Sequence, residues 1–295
     1  VSQVLIVVTG GAVRLTGSGL GCPTWPRCTA DSLVATPEMG IHGAIEFGNR
    51  LLTFVLVVIA IVMFLLVVRL RRDRRDVFAL SLALGLGIPA QGVIGGITVL
   101  TSLNPWVVGL HFVLSAGLVC TATVLVWRVY RGPAWSAVRP SSLGVLSYAT
   151  SFFVILTILA GIVTTGSGPH AGDNGAARNG LDPEFLQHVH SWPAYLTLGL
   201  TVALVASTTA LRLHRPRSFA LALLAVEAGQ VAVGIAQARL GLPEILVALH
   251  MMLACVLAAA MTAVVLSLHE PRAGVVVRTE AADRFPQRET QASGN

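Results

Sequence analysis

Seven long apolar runs constrain what this chain can become. They fall at roughly 45–68, 77–100, 106–127, 145–165, 190–211, 217–238 and 244–268. As a helix, each is long enough to cross about 30 Å of hydrocarbon. An eighth run, residues 1–13, is too short to cross alone. The expectation is a first helix that lacks a turn or two upstream, the alternative being a segment lying in the interface. Composition agrees with a membrane protein. The chain is 54% apolar and 12% charged, with mean hydropathy +0.76, whereas soluble domains are about 25% charged. These figures exclude a disordered chain and fit an ordinary soluble enzyme poorly.

The formal charge is +6, and no lysine contributes to it. Basic charge invites a nucleic-acid reading, but its placement answers otherwise. Arg69, Arg71, Arg72, Arg74 and Arg75 crowd the connection between the second and third spans. Arg128, Arg131 and Arg139 flank the fourth-to-fifth connection, and Arg212, Arg215 and Arg217 the sixth-to-seventh. Alternate connections rich in arginine are cytoplasmic by the positive-inside rule. Both termini then face the cytoplasm, and loops 14–44, 101–105, 166–189 and 239–243 face outward. No nucleic-acid partner is needed to explain the charge. The polar tail 271–295 reads as disordered.

The chain repeats itself. Thr16-Gly17-Ser18-Gly19 returns as Thr165-Gly166-Ser167-Gly168, and Gln91 and Gln230 each precede a histidine, His111 or His250, by 20 residues. The fold expected is therefore an all-α integral membrane protein of eight transmembrane helices, arranged as two tandem four-helix bundles. Its halves are 1–142 and 143–270, in the parallel type of repeat.

Histidines gather toward the outer ends of the spans. His214 and His269 read as surface residues, and His170 lies in the third outer loop. The others are His42, His111, His188, His190 and His250. One histidine alone would be read as hydrogen-bonding at the interface. Histidines repeated on corresponding helices point instead to axial ligation of haem iron. His190 with His250 is such a pair, and His188 is the alternative to His190, about 200° away around the helix. Zinc fits less well, because no third or fourth ligand pattern exists. In the first half, Asn49 stands where His190 stands and His111 where His250 stands. Glu46, one turn before Asn49, reads either as a salt-bridge partner of Arg14 or Arg50 or as a catalytic carboxylate. Glu227, in mid-span, reads equally as functional or as hydrogen-bonded to Gln230 or a neighbouring hydroxyl.

The run Gly10-Gly11-Ala12-Val13-Arg14-Leu15-Thr16-Gly17-Ser18-Gly19-Leu20-Gly21-Cys22-Pro23-Thr24-Trp25-Pro26-Arg27-Cys28 resembles the signature of the haem A synthases. Ile45-Glu46-Phe47-Gly48-Asn49-Arg50 is similar to that family's helix-2 motif. The resemblance covers about residues 1–268. It implies a bacterial plasma-membrane oxidoreductase for terminal oxidase assembly, which converts the C8 methyl of haem O to the formyl of haem A in two steps. It implies a haem b cofactor on His190 and His250, and substrate haem O on His111. Where the family has a second substrate-side histidine, this chain has Asn49, leaving an open iron position or recruitment of His42. Glu46 keeps the place of the family's glutamate, with an implied catalytic role. Arg14 and Arg50 are expected to meet haem propionates. Cys22 and Cys28 match the family's first-loop pair and imply a disulfide. The third loop has Pro169 and His170 where other members carry cysteines, so something else must hold it. Cys120 and Cys255 read as packing residues. Implied partners are a membrane electron acceptor and haem O synthase, with a homo-oligomer possible. The alternative function is a haem chaperone, transporter or b-type electron carrier without catalysis.

Overall fold

The computed structural model describes residues 1–132 and 141–269. Arg139, the boundary at 142 as far as it rests on residues 133–140, and the tail 271–295 lie outside the described residues or at their edge. Among the described residues, eight α-helices follow one another: α1 (Ser2–Leu15), α2 (Gly40–Val67), α3 (Arg75–Leu100), α4 (Pro105–Arg131), α5 (Ser141–Ser167), α6 (Pro183–Ala210), α7 (His214–Arg239) and α8 (Glu244–Ser267). The seven from α2 onward are long and apolar enough to span a membrane. At 14 residues, α1 reaches only about 21 Å.

Helix starts follow local chemistry. Asn104 precedes Pro105, and its side chain accepts the Trp106 N–H. Asp182 precedes Pro183 and accepts the N–H groups of Glu184 and Phe185. An Asx cap followed by proline is a strong start signal. The second cap corrects a sequence expectation. His190 does not open its helix, as the run 190–211 implied, but sits about two turns inside it, as His111 does in α4.

Each helix packs on its neighbour in sequence, and α4 also packs on α1 and α8 on α5. α8 also touches α1 and α4. The repeat is visible in the backbone. Leu103 and Leu242 both adopt positive φ, 60° and 61°. Leu103 N–H donates to Thr98 O at 2.7 Å, and Leu242 N–H to Gln237 O at 2.8 Å. Both members of each pair are 139 residues apart, the spacing that separates His111 from His250.

A cap of loops covers the histidine end. Cys22 and Cys28 form a disulfide that is fully buried. Leu103, held in its positive-φ turn, packs with Ala171 and Ala176 against Leu20 and Val108. Gly19 and Gly172 make room for it: a Cβ at either would come within 2.8 or 3.0 Å of Leu103 Cδ1. Gly19 N–H donates to Gly172 O at 2.8 Å, so the first and third loops are joined directly. Cys255 packs with Val7 and Val119 as an apolar residue, as expected.

Candidate functional site

All eight helices line one cavity of about 600 Å³. That volume lies in the range of small-molecule and cofactor sites. Its walls carry His111, His190, His250, Glu46, Asn49, Arg14 and Arg50. Seven residues singled out in the sequence are thus brought together. His42 and His188 are not: both are exposed and outside the cavity lining.

His190 faces His250, with ring centroids 6.1 Å apart and planes at 82°. A metal bound by one nitrogen of each ring at about 2 Å puts the centroids roughly 6 Å apart. The protonation of His190 is also set. Its Nδ1 lies 3.0 Å from the Thr157 carbonyl, which can only accept, so Nδ1 carries the hydrogen. Nε2 is then left with its lone pair, the arrangement of a ligating imidazole. The Nδ1 atoms of His250 and His111 are buried without a hydrogen-bond partner. Glycines give these rings space. A Cβ at Gly161 would stand 2.9 Å from His190 Cε1, one at Gly234 3.3 Å from His250 Cε1, and one at Gly95 3.5 Å from His111 Cε1. Gly95 and Gly234 are again 139 residues apart. The imidazole pair, the glycine notches and the largely apolar walls fit a haem.

Glycine 161 allows a graded prediction. Gly161→Ala forces the His190 ring to shift and lowers the haem bound per protein. Gly234→Ala, with more room, lowers it less. Pyridine haemochrome assays on the two purified variants compare them.

On the first-half side, Gln91 Nε2 donates to the His111 carbonyl at 3.1 Å and to Ser115 Oγ at 2.6 Å, tying α3 to α4 beside His111. Asn49 Oδ1 is buried and unpartnered. Glu46 is 5% exposed. One of its oxygens accepts the Cys22 N–H at 2.5 Å, and the other accepts Arg50 Nη2 at 2.5 Å and Nε at 3.1 Å. Arg50, not Arg14, is therefore its ion-pair partner. Arg50 also donates to the carbonyls of Cys22, Thr24 and Arg27, so one guanidinium fixes both the carboxylate and the disulfide loop. Trp25, in that loop, lies over α3 at Gly96, where any Cβ would collide with the indole. Its role was not legible, although the adjacent Gly95-Gly96 pair was a signal of close approach.

Arg14 answers how the third loop is held. From α1 its Nε donates to His170 O at 2.6 Å and its Nη2 to Thr165 O at 3.0 Å. Arg178 adds bonds to the carbonyls of Pro169 and Ala176. Arginine donors thus fasten a loop that has no disulfide. Arg14→Met is expected to loosen it: limited proteolysis should cut within 168–182 faster than in the parent, with the first loop unchanged. Among the described residues no carboxylate pairs with Arg14.

The fold and site define a polytopic membrane protein with imidazole donors inside an apolar cavity. A profile of the COX15-CtaA family, cytochrome oxidase assembly proteins, matches residues 1–262. The chain belongs to that family. It is similar to heme A synthase of Geobacillus thermodenitrificans, 30% identical over 138 residues, 46% of this chain and 43% of that protein. It is also similar to heme A synthase of Listeria monocytogenes, 29% identical over 164 residues, 53% of each chain. With heme A synthase of Exiguobacterium sibiricum the identity is 24% over 165 residues, 54% of each. The alignments thus span about half the length of the curated relatives it matches.

Proposed function

We propose that the chain is a haem A synthase of the bacterial plasma membrane, oxidising the C8 methyl of haem O to the formyl of haem A in two successive steps for terminal oxidase assembly. The observation that carries this reading is the His190–His250 pair, 6.1 Å apart, in one cavity with His111 and Glu46. Residues 1–142 form the substrate half and 143–270 the cofactor half. The arginine-rich end and both termini are cytoplasmic, and the disulfide loop faces outward.

His190 and His250 would hold haem b, and the chemistry it supplies when bound is one-electron transfer toward a membrane acceptor. His111 would ligate the iron of the substrate haem O. Arg14, with donors left after its two carbonyl bonds and no carboxylate partner, is suited to a propionate. Converting the methyl to an aldehyde takes its oxygen from one water, withdraws four electrons and releases four protons. Glu46 accepts a proton from the reacting carbon substituent, held in place by Arg50 and the Cys22 N–H. Haem O synthase is the partner that supplies the substrate.

Complementation tests this reading. In a bacterium lacking its own haem A synthase, the chain should restore haem A to extracted membranes, and His111→Ala should not. A second reading, a haem chaperone, transporter or b-type carrier, is favoured by Asn49 standing where the other half has His190. Membranes holding the protein loaded with haem B, yet free of haem A, would replace the first reading with the second.

A further inference from the structure

The two halves differ below the histidines. In the second half a row of polar side chains runs inward from His190. The Thr157 carbonyl takes the His190 Nδ1 hydrogen, and Thr157 Oγ1 lies 3.5 Å from Thr197 Oγ1. One helical turn further along α6, Thr201 Oγ1 donates to Glu227 Oε1 at 2.8 Å. Thr201 is 0% and Glu227 5% exposed, and Glu227 Oε2 is buried with no partner. Of the two partners expected for Glu227, Gln230 or a neighbouring hydroxyl, the structure has the hydroxyl, from Thr201 on the neighbouring helix.

The repeat supplies the control. With the spacings that relate the TGSG motifs, Asn49 to His190, and His111 to His250, the first-half counterparts of Thr157, Thr197, Thr201 and Glu227 are Val8, Leu56, Ala60 and Ile88. Leu56, Ala60 and Ile88 pack together as an apolar core. The same place is thus filled by hydrocarbon in one half and by three hydroxyls and a carboxyl in the other. Helix packing alone does not demand the polar set, because the apolar version packs the same junction. A carboxyl in hydrocarbon is costly and marks function by default.

Among the described residues, no cation pairs with Glu227. α7 packs on α6 and α8. The titratable groups there are Glu184, His188, His190 and Tyr195 on α6, and Glu244, His250 and Cys255 on α8. None is hydrogen-bonded or ion-paired to Glu227. α7 itself carries His214, Arg215, Arg217 and Arg239, all in its first or last turn.

We propose that Glu227 is a proton-loading site coupled through the threonine row to the redox state of the second-half haem site. The inference rests on the reading of His190 and His250 as the haem b ligands. When one electron from substrate oxidation reaches that site, one proton from water adds to the Glu227 carboxylate and balances the charge. When the electron leaves to a membrane-soluble one-electron acceptor, the proton returns to water. No bond to carbon is made or broken in this step. The hydroxyls of Thr157 and Thr197 now donate to their own helix carbonyls, Phe153 and Pro193. Their rotation toward each other needs no helix movement.

The test is a potentiometric titration of the haem b in the purified full chain at several pH values. The parent's midpoint should fall as pH rises, by up to about 59 mV per unit, the value for one proton per electron. Glu227→Gln should flatten that slope by at least half while the haem spectrum stays unchanged. Thr201→Val, which exchanges only the hydroxyl for a methyl, should displace the pH range of the slope. A redox-difference infrared spectrum should show a carboxylic C=O band that Glu227→Gln abolishes. Equal slopes in parent and both variants, or an unchanged infrared spectrum, would overturn the proposal with the haem site intact. A parent that binds no haem would overturn it together with the proposed function. Should Glu227→Gln fail to fold, Thr201→Val and the infrared band of the parent decide.

Discussion

His190→Ala should strip the resident haem from the protein, lowering bound haem b by at least about tenfold at equal protein. Losing an outer partner of a metal-ligating histidine already costs about 10–100-fold in affinity, and removing the ligand itself costs more. His250→Ala should match it, since the two rings face each other across 6.1 Å. The control is His188→Ala. That side chain is exposed and outside the cavity, so haem content should be unchanged. The optical spectrum of the purified variants reads all three. Equal loss in His188→Ala and His190→Ala would mean that the helix, not the ligand, had failed.

Glu46→Gln is the second large effect. The amide keeps the shape and can still accept from the Cys22 N–H, but it loses the charge paired with Arg50. A positioned general base contributes about 10²–10⁴ in rate. Haem A formation should therefore fall at least about 100-fold, equivalent to ~2.7 kcal/mol of barrier. Haem b content should stay near that of the parent, because His190 and His250 are untouched. Mass analysis of the haems should show haem O or an early product accumulating. Full two-step turnover would remove Glu46 from the chemistry.

Much of this architecture was legible because the bilayer imposes it. Spans of twenty or more apolar residues, separated by arginines or by Gly-Pro-Asn turns, admit few other structures. The helical angle separates His188 from His190, and only the packed helices show that His190 lines the cavity while His188 is exposed. The apolar run from 190 starts α6 seven residues late, although Asp182-Pro183 spells out the start, whereas the run from 106 misses the start of α4 at Pro105 by one residue. Hydropathy drew attention to the apolar stretch and away from the polar turns that precede it. His42 shares a helical face with Asn49, yet seven residues put it about 10 Å further along the axis. There it meets Ser18 Oγ at 2.9 Å instead of the cavity. Angle alone does not report depth. The grip of Arg14 on the Thr165 and His170 carbonyls crosses some 150 residues of sequence. No local pattern encodes such a contact, and an arginine in a motif reads first as a partner for anions.

The most direct measurement of the central claim is extraction of the haems from the purified full chain, made with and without haem O synthase and identified by mass. The account predicts haem B alone without that synthase, and haem B together with haem A or its hydroxylated precursor when it is present. Haem B accompanied by unchanged haem O, with no oxidised product, would contradict it and make Asn49→His the first variant to build.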